Sequence, residues 1–222
     1  MKVVLLIAVI VLIAVIASAQ EQPAYPMWPV KFTADFEESF TYPVLGTHTT
    51  AGSFYYDAAS GRYRVDRDDG RYDRYCGLNG FKWTSSTRCN QYVTPEGDRF
   101  LHYPDKDNYC CYCCSAEHGC GILKQSWVQG AEFLGEVEYE GYTAYKWDQK
   151  CLQSNLYIET VASEPLDRIM LDMDQQPNDN QIFDPTTWSL QFTDSILDLP
   201  SSCGDKKNTC TFLSTCTAVR NA

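Results

Sequence analysis

One segment of the chain is unusually rich in cysteine, YCCYCCSAEHGCG at residues 109–121. Its cysteines are Cys110, Cys111, Cys113, Cys114 and Cys120. Cysteines at this density can form disulfides, bind zinc as thiolates, or exchange disulfides through a Cys-x-x-Cys pair. Overlapping Cys-x-x-Cys pairs are present and His118 is near them. A zinc site, however, normally needs a second pair of ligands at a fixed distance. A Cys-x-x-Cys exchange motif normally lies at the beginning of a helix. The segment is predicted to be a loop, so disulfides are favoured, with zinc and redox chemistry as the alternatives.

The cluster belongs to a larger set of eleven cysteines, which is typical of a protein in an oxidising compartment. The other members are Cys76, Cys89, Cys151, Cys203, Cys210 and Cys216. Because adjacent cysteines do not easily pair with each other, we expect the clustered cysteines to reach different strands or loops and to tie the segment to Cys76, Cys89 and Cys151. Eleven is an odd number, so one thiol stays free or forms an intermolecular bridge. A covalent homodimer is therefore an alternative to a monomer.

Motifs for catalysis are missing from the sequence. It contains no Gly-x-Ser-x-Gly turn, no His-Glu-x-x-His zinc motif, no glycine-rich phosphate loop and no EF-hand string. Of the three histidines, His48 lies in a threonine-rich loop, His118 lies in the cysteine cluster, and His102 is expected in the core of a short strand. We therefore predict no catalytic residues and no enzymatic activity. A hydrolase with a cryptic site is the least favoured alternative.

Four aspartates come closest to a metal site: Asp66, Asp68, Asp69 and Asp73. Carboxylate oxygens are the hard ligands that calcium prefers. However, Gly70 falls where a ligand would be needed, and arginines alternate with the aspartates in a pattern more typical of a solvated strand face. We predict no cofactor and no metal, with calcium at these aspartates as the weaker alternative.

The N-terminus has the pattern of a secretory signal peptide. Lys2 precedes an unbroken apolar run at 3–16, and Ala17-Ser18-Ala19 then supplies the small-x-small pattern of a cleavage site. The run is short for a transmembrane helix, which needs about 20 apolar residues. We predict cleavage after Ala19, with an uncleaved anchor as the alternative, and a product that is secreted or held in a vesicle lumen without stable membrane insertion. The net charge of −11 argues against nucleic acid as a partner.

The rest of the chain has the pattern of short antiparallel strands separated by turn residues. The predicted strands and hairpins include 32–40, 52–67, 99–103, 132–147, 155–173 and 188–193. In the first of them, Phe32, Phe36 and Phe40 fall on one face. Helical signal is weak and is confined to 123–129. We predict a mainly β domain at 20–203 with about ten strands and one or two short helices, followed by a cysteine-containing appendage at 204–222 pinned by disulfides.

Several predicted strands carry apolar groups on both faces, such as Tyr55 beside Phe54 and Tyr56. A flat sheet would leave one of these sets in water, whereas a sheet that curls around a cavity would use both. The pattern thus favours a curved antiparallel sheet, a half-open barrel with room for one apolar molecule. A sandwich whose interior is filled with side chains is the alternative.

Three segments support a family resemblance: the early paired strands GSFYYD and GRYRVDR, the hairpin FLGEVEYEGYTAYKW, and the closing segment FDPTTWSLQFTDSILDLPSSC. In the order of these elements, residues 32–203 resemble the secreted ependymin-related proteins and the LolA-like lipoprotein-carrier half-barrels. The cysteine cluster and the tail are not part of that pattern. The resemblance implies a non-enzymatic protein with helices over the open side of a curved sheet and a hydrophobic pocket for lipid-like ligands. It also leaves room for calcium dependence and for dimers.

The sequence therefore predicts a secreted, disulfide-stabilised carrier of a hydrophobic, lipid-like ligand. The candidate lining residues are Tyr139, Tyr142, Tyr145, Trp147, Ile158, Ile169, Leu171, Trp188 and Phe192. An extracellular structural, surface-coat or adhesion protein assembled through disulfides is the alternative.

Overall fold

The computed structural model describes residues 22–44, 46–77, 86–150, 154–211 and 214–221. The predicted signal peptide at 1–19 and Cys151 lie outside these ranges. The strands are β1 Lys31–Tyr42, β2 Gly46–Asp57, β3 Arg62–Arg67, β4 Cys89–Val93, β5 Arg99–Tyr103, β6 Tyr109–Cys114, β7 Glu132–Tyr139, β8 Tyr142–Lys150, β9 Ser154–Thr160, β10 Met170–Gln175 and β11 Asp179–Phe183. The helix α1 spans Thr215–Arg220, and 3-10 turns span Ala116–His118, Pro165–Asp167 and Asp194–Leu197. Within these ranges no helix is both long and apolar enough to cross a membrane.

The strands form one antiparallel sheet in the order β6-β5-β4-β3-β2-β1-β11-β10-β9-β8-β7. Two meanders make up this order: β1 to β6 extend to one side, β7 to β11 extend to the other, and they meet where β1 pairs with β11. The sheet is curved and does not close, so β6 and β7 are its edges. The predicted curved antiparallel sheet is confirmed, with eleven strands in the described part of the chain.

One face of the sheet, here called the inner face, carries the aromatic core. In β1 the burial alternates, and Phe32, Phe36 and Phe40 are all buried, as predicted. The register places Tyr56 of β2 opposite Phe32 and Tyr63 of β3 opposite Tyr56. Because side chains alternate between the faces of a strand, this register stacks the rings of neighbouring strands on the inner face. The other face is called the outer face below.

Two segments without regular secondary structure, 22–30 and 122–131, cover the inner face. Trp28 anchors the first segment, because its indole Nε1 donates to the Tyr157 hydroxyl at 3.0 Å in the core. The Trp28 backbone N–H donates to the Gln125 carbonyl at 3.0 Å, and the Gln125 side chain donates back to the Trp28 carbonyl at 2.7 Å. These reciprocal bonds hold the two covering segments together over the sheet.

Two local predictions of secondary structure are wrong. Residues 123–129 end in a run of turns and not in a helix, and the partly buried Trp127 packs against the core, with its ring 5.6 Å from that of Trp28. The predicted strand at 188–193 is reduced to one backbone bridge between Ser189 and Thr33. After this bridge the chain crosses to the outer face, so its apolar residues do not share one face of a strand.

The first half of the cysteine-rich segment, expected to be a loop, is the edge strand β6, Tyr109–Cys114. On one side it pairs with β5, with Cys111 opposite Leu101. On the other side it pairs with the tail: the Tyr112 N–H donates to the Asn208 carbonyl at 2.8 Å, and the Cys210 N–H donates to the Tyr112 carbonyl at 2.9 Å. The tail therefore satisfies part of an edge that would otherwise be open to another strand.

Candidate functional site

Ten cysteines form five disulfides: Cys76–Cys89, Cys110–Cys203, Cys111–Cys210, Cys113–Cys216 and Cys114–Cys120. Two of these bonds fasten β6 to the tail, and Cys110–Cys203 fastens it to the last residue before the tail. The expectation that the cluster is tied to Cys76 and Cys89 is wrong, because these two cysteines pair with each other. The adjacent Cys110 and Cys111 do reach different partners, since neighbouring residues of a strand point to opposite faces.

The disulfides decide the chemistry of the cysteine cluster. The sulfurs of Cys113, Cys114 and Cys120 lie within 4.8 Å of one another, a spacing that could hold a metal. Each of these sulfurs is bonded in a disulfide, however, so none is available as the thiolate that zinc or an exchange reaction requires. The cluster is a structural clamp.

The four aspartates of the weaker calcium alternative do not converge on one point. Asp66 and Asp69 each bind an arginine, at 2.6 and 2.7 Å. Asp73 is buried over the inner face, whereas Asp68 is exposed. Among the described residues these carboxylates form no common metal site.

The nine predicted lining residues are spread over both faces of the sheet. Those that pack with the core of the inner face are Tyr145, Trp147 and Trp188. A separate cluster on the outer face contains Tyr139, Ile158 and Leu171. The remaining three are Phe192, which packs on Tyr55, the exposed Tyr142, and the half-buried Ile169 just before β10. None of the nine lines the cavity described next, and a role for them in ligand binding stays a prediction.

A cavity of about 190 Å³ lies over the inner face, between the two halves of the sheet. Side chains of β2 to β5 line one side, those of β10 and β11 line the other, and the loop 71–77 contributes further residues. The apolar lining residues are Phe54, Tyr56, Tyr63, Val65, Leu123 and Met173. The polar lining includes Arg67, Asp73, Arg74, Gln91, Arg99 and Asp179. The cavity therefore has one aromatic and aliphatic wall and one polar wall.

The polar wall is built on a buried ion pair between Glu38 and Arg67. The Arg67 guanidinium donates to both carboxylate oxygens of Glu38, from Nη2 at 2.8 Å, and the Gln181 amide donates to the same carboxylate. Arg67 Nη2 also lies 3.6 Å from Asp73 Oδ2, and Asp73 Oδ1 accepts from Gln91 Nε2 at 3.2 Å. These bonds offset most of the cost of burying the ion pair, although Arg67 Nη1 has no partner among the described residues.

Burial also changes the acid–base properties of this wall. Asp179 accepts from Arg74 Nη2 at 3.1 Å, yet its own burial, and then the nearby Glu38 carboxylate, raises the pKa of Asp179 well above its usual range. Burial on its own would lower the pKa of Arg67. The Asp73 and Glu38 carboxylates raise this pKa by more than burial lowers it, so the guanidinium stays protonated.

These polar residues were missed by sequence reasoning, although a signal was available. Glu38 lies midway between Phe36 and Phe40, so the alternation that places the phenylalanines on the inner face places Glu38 there too. Arg67 follows Val65 on the inner face of β3 in the same way. An acid and a base at inward positions of two strands indicate a buried ion pair.

No family model and no curated protein matches the chain. Among solved structures, an uncharacterized conserved protein from Thermus thermophilus aligns with a TM-score of 0.46 and 10% identity over 78% of this chain and 86% of that chain. A putative outer membrane lipoprotein-sorting protein domain from Vibrio parahaemolyticus aligns with a TM-score of 0.37 and 7% identity over 76% and 89%. A DUF1329 family protein from Desulfovibrio piger aligns with a TM-score of 0.35 and 11% identity over 76% and 90%. None of these three is described as an ependymin-related protein.

Proposed function

We propose that this protein binds a small amphipathic molecule, with a short lipid-like chain, in the cavity over the inner face, and that it acts as a carrier and not as an enzyme. The supporting observation is the division of the cavity into an apolar wall and a polar wall. A purely apolar ligand would desolvate the polar wall without replacing its hydrogen bonds, which is unfavourable. An amphipathic ligand complements both walls.

The volume of the cavity limits the size of the enclosed part of the ligand. A cavity of about 150 Å³ holds benzene, so about 190 Å³ has room for roughly seven or eight heavy atoms. This volume accommodates a short chain with its head group. A long acyl chain would have to extend beyond the cavity.

The composition of the lining favours binding over covalent chemistry. The residues that line the described cavity include no serine, threonine, cysteine, histidine or lysine, so they offer no nucleophile with a histidine base. The two aspartates of the lining, Asp73 and Asp179, are each held by an arginine. These groups orient and recognise a ligand in the proposal.

The disulfides point to a location outside the cytosol, because such bonds persist in oxidising compartments. Together with the predicted signal peptide, they support a protein that carries its ligand in an extracellular fluid or a vesicle lumen.

Binding can be tested with two small probes that fit the cavity, hexanoate and its neutral isostere hexanamide. We expect at least one of them to shift NMR resonances of residues that line the cavity in the purified protein. Val65→Phe fills the cavity and should weaken this binding about tenfold or more, since the ring takes up the space of the ligand. Val161→Phe, at an exposed position, is the matched control and should bind like the wild type. If neither probe binds and native mass spectrometry finds no co-purified small molecule, the proposal is wrong and the structural or coat alternative gains.

A further inference from the structure

Arg99, at the start of β5, has no counter-ion among the residues that the structure describes. The residue is only 8% exposed and its side chain lines the cavity. Its guanidinium carbon lies 4.9 Å from the centre of the Tyr75 ring and 5.8 Å from that of Tyr63. Its Nε is buried without a hydrogen-bond partner, and no ion pair joins its side chain to any residue in the described ranges. A buried guanidinium without an anion is unusual, because charged residues are seldom buried unless paired.

The neighbouring carboxylates are already engaged by other cations. Arg67 holds Glu38 and Asp73, and Arg74 holds Asp179. Besides Arg99 Nε, the cavity has a second unsatisfied donor: Arg67 Nη1 is buried without a hydrogen-bond partner among the described residues. Two arginines of one cavity therefore present donors that the described part of the protein leaves unused.

From these unused donors we infer that the ligand has a carboxylate head group and that Arg99 binds it. The inference rests on the proposed binding function and adds the chemical class of the ligand. A carboxylate accepts charge-assisted hydrogen bonds from a guanidinium in a planar, bidentate geometry, so it would satisfy the donors that the fold does not. The aliphatic part of the ligand then lies against the aromatic wall.

A purely structural role for Arg99 is the competing explanation. The contacts with Tyr63 and Tyr75 are cation–π interactions, which compensate part of the cost of burying the guanidinium. If this were the whole role of Arg99, its replacement would alter stability but not the preference for an anionic ligand. Head-group preference is thus the readout that separates the two explanations.

The experiment compares hexanoate with hexanamide on the wild type and on Arg99→Gln. We expect the wild type to prefer hexanoate by about tenfold or more, the factor typical of one charge-assisted contact. Arg99→Gln should remove this preference by weakening hexanoate binding, while hexanamide affinity changes less than about threefold. Arg88→Gln, which changes an exposed arginine paired with Asp105, is the matched control and should keep the preference.

The outcomes distinguish this inference from the proposed function. If both probes bind with equal affinity and Arg99→Gln changes neither, the inference is wrong while the binding function stands. If neither probe binds any variant and native mass spectrometry finds no co-purified small molecule, the binding function itself fails. If Arg99→Gln does not fold, the pKa of carboxyl-labelled ¹³C-hexanoate bound to the wild type is measured instead, by NMR titration against pH. Contact with Arg99 lowers the pKa of the bound acid below its value in water, and an unchanged or raised pKa would overturn the inference.

Discussion

Removal of the Cys113–Cys216 bridge should cost much less stability than the length of its loop suggests. The bond closes a loop of 103 residues, and a loop of that size is associated with about 4.7 kcal/mol when it is the only cross-link. The Cys111–Cys210 bridge already closes nearly the same loop. With that bridge intact, Cys113–Cys216 closes only about eight further residues, two after Cys111 and six after Cys210, which corresponds to about 2.5 kcal/mol.

A matched bridge makes this difference measurable. Cys114–Cys120 closes a local loop with a sequence separation of 6, for which the same relation gives about 2 kcal/mol. All four of these cysteines are almost fully buried, so the packing lost on replacement by alanine is similar for the two bridges and cancels in the comparison. The structure therefore predicts that the two double-alanine variants differ in free energy of unfolding by less than about 1 kcal/mol.

The assay is unfolding in guanidinium chloride, followed by circular dichroism without reductant, for the wild type and both double variants. Similar losses would confirm that neighbouring bridges share one loop closure. A variant without Cys113 and Cys216 that is less stable than the other by about 2 kcal/mol or more, as about 4.7 against about 2 would require, would refute the reasoning. Tryptic mapping checks that the remaining bridges are unchanged.

Three further predictions concern buried charges and the remaining thiol. Burial raises the pKa of Asp172 to about 7 from 3.8. Between these two values the folded protein keeps a proton on Asp172 that the unfolded chain has released. The free energy of unfolding therefore falls, by at most ~4 kcal/mol, as the pH rises from about 4 to about 7. Asp172→Asn should flatten this dependence in denaturant titrations; an unchanged slope would contradict it. Arg67→Met leaves Glu38 buried without its cation and should lower the free energy of unfolding by about 3–5 kcal/mol. Changing both Glu38 and Arg67 to methionine should recover most of this loss in the same titrations, and no recovery would speak against the pairing. Because ten cysteines pair with one another, alkylation of the unreduced, unfolded protein should modify Cys151 alone in a peptide map, while a doubled mass on a non-reducing gel would indicate a bridged homodimer.

The sequence predicted strands best where one face is apolar. The strand 32–40 and the hairpin 132–147 alternate in the way that a half-buried strand requires, and both are confirmed. Strand β11 was not predicted, because its inward residues Asp179 and Gln181 are polar and give no apolar period. These two residues face the buried network of the cavity. Their polarity is therefore the reason why neither the strand nor the site was predicted.

The disulfide pairing depends on contacts that no local pattern encodes. The tail lies beside β6 only because the chain returns there after completing β11 and crossing the outer face. Spacing within 109–121 indicated that the cysteines reach outward, but it carried no information on which distant segment receives them. The same limit applies to Arg99, because its lack of a counter-ion within the described ranges follows only from the partners that the neighbouring carboxylates have in the fold.

The attachment of the tail on both sides of its most basic stretch has a consequence for proteolysis. Lys206 and Lys207 are exposed between Cys203 and Cys210, and both cysteines are bonded to β6. A trypsin-like nick at these lysines would yield a two-chain molecule in which each new end stays covalently attached to the same strand. Cleavage at this point would thus leave the size and shape of the unreduced protein unchanged. It would be detected only after reduction, as a released C-terminal peptide.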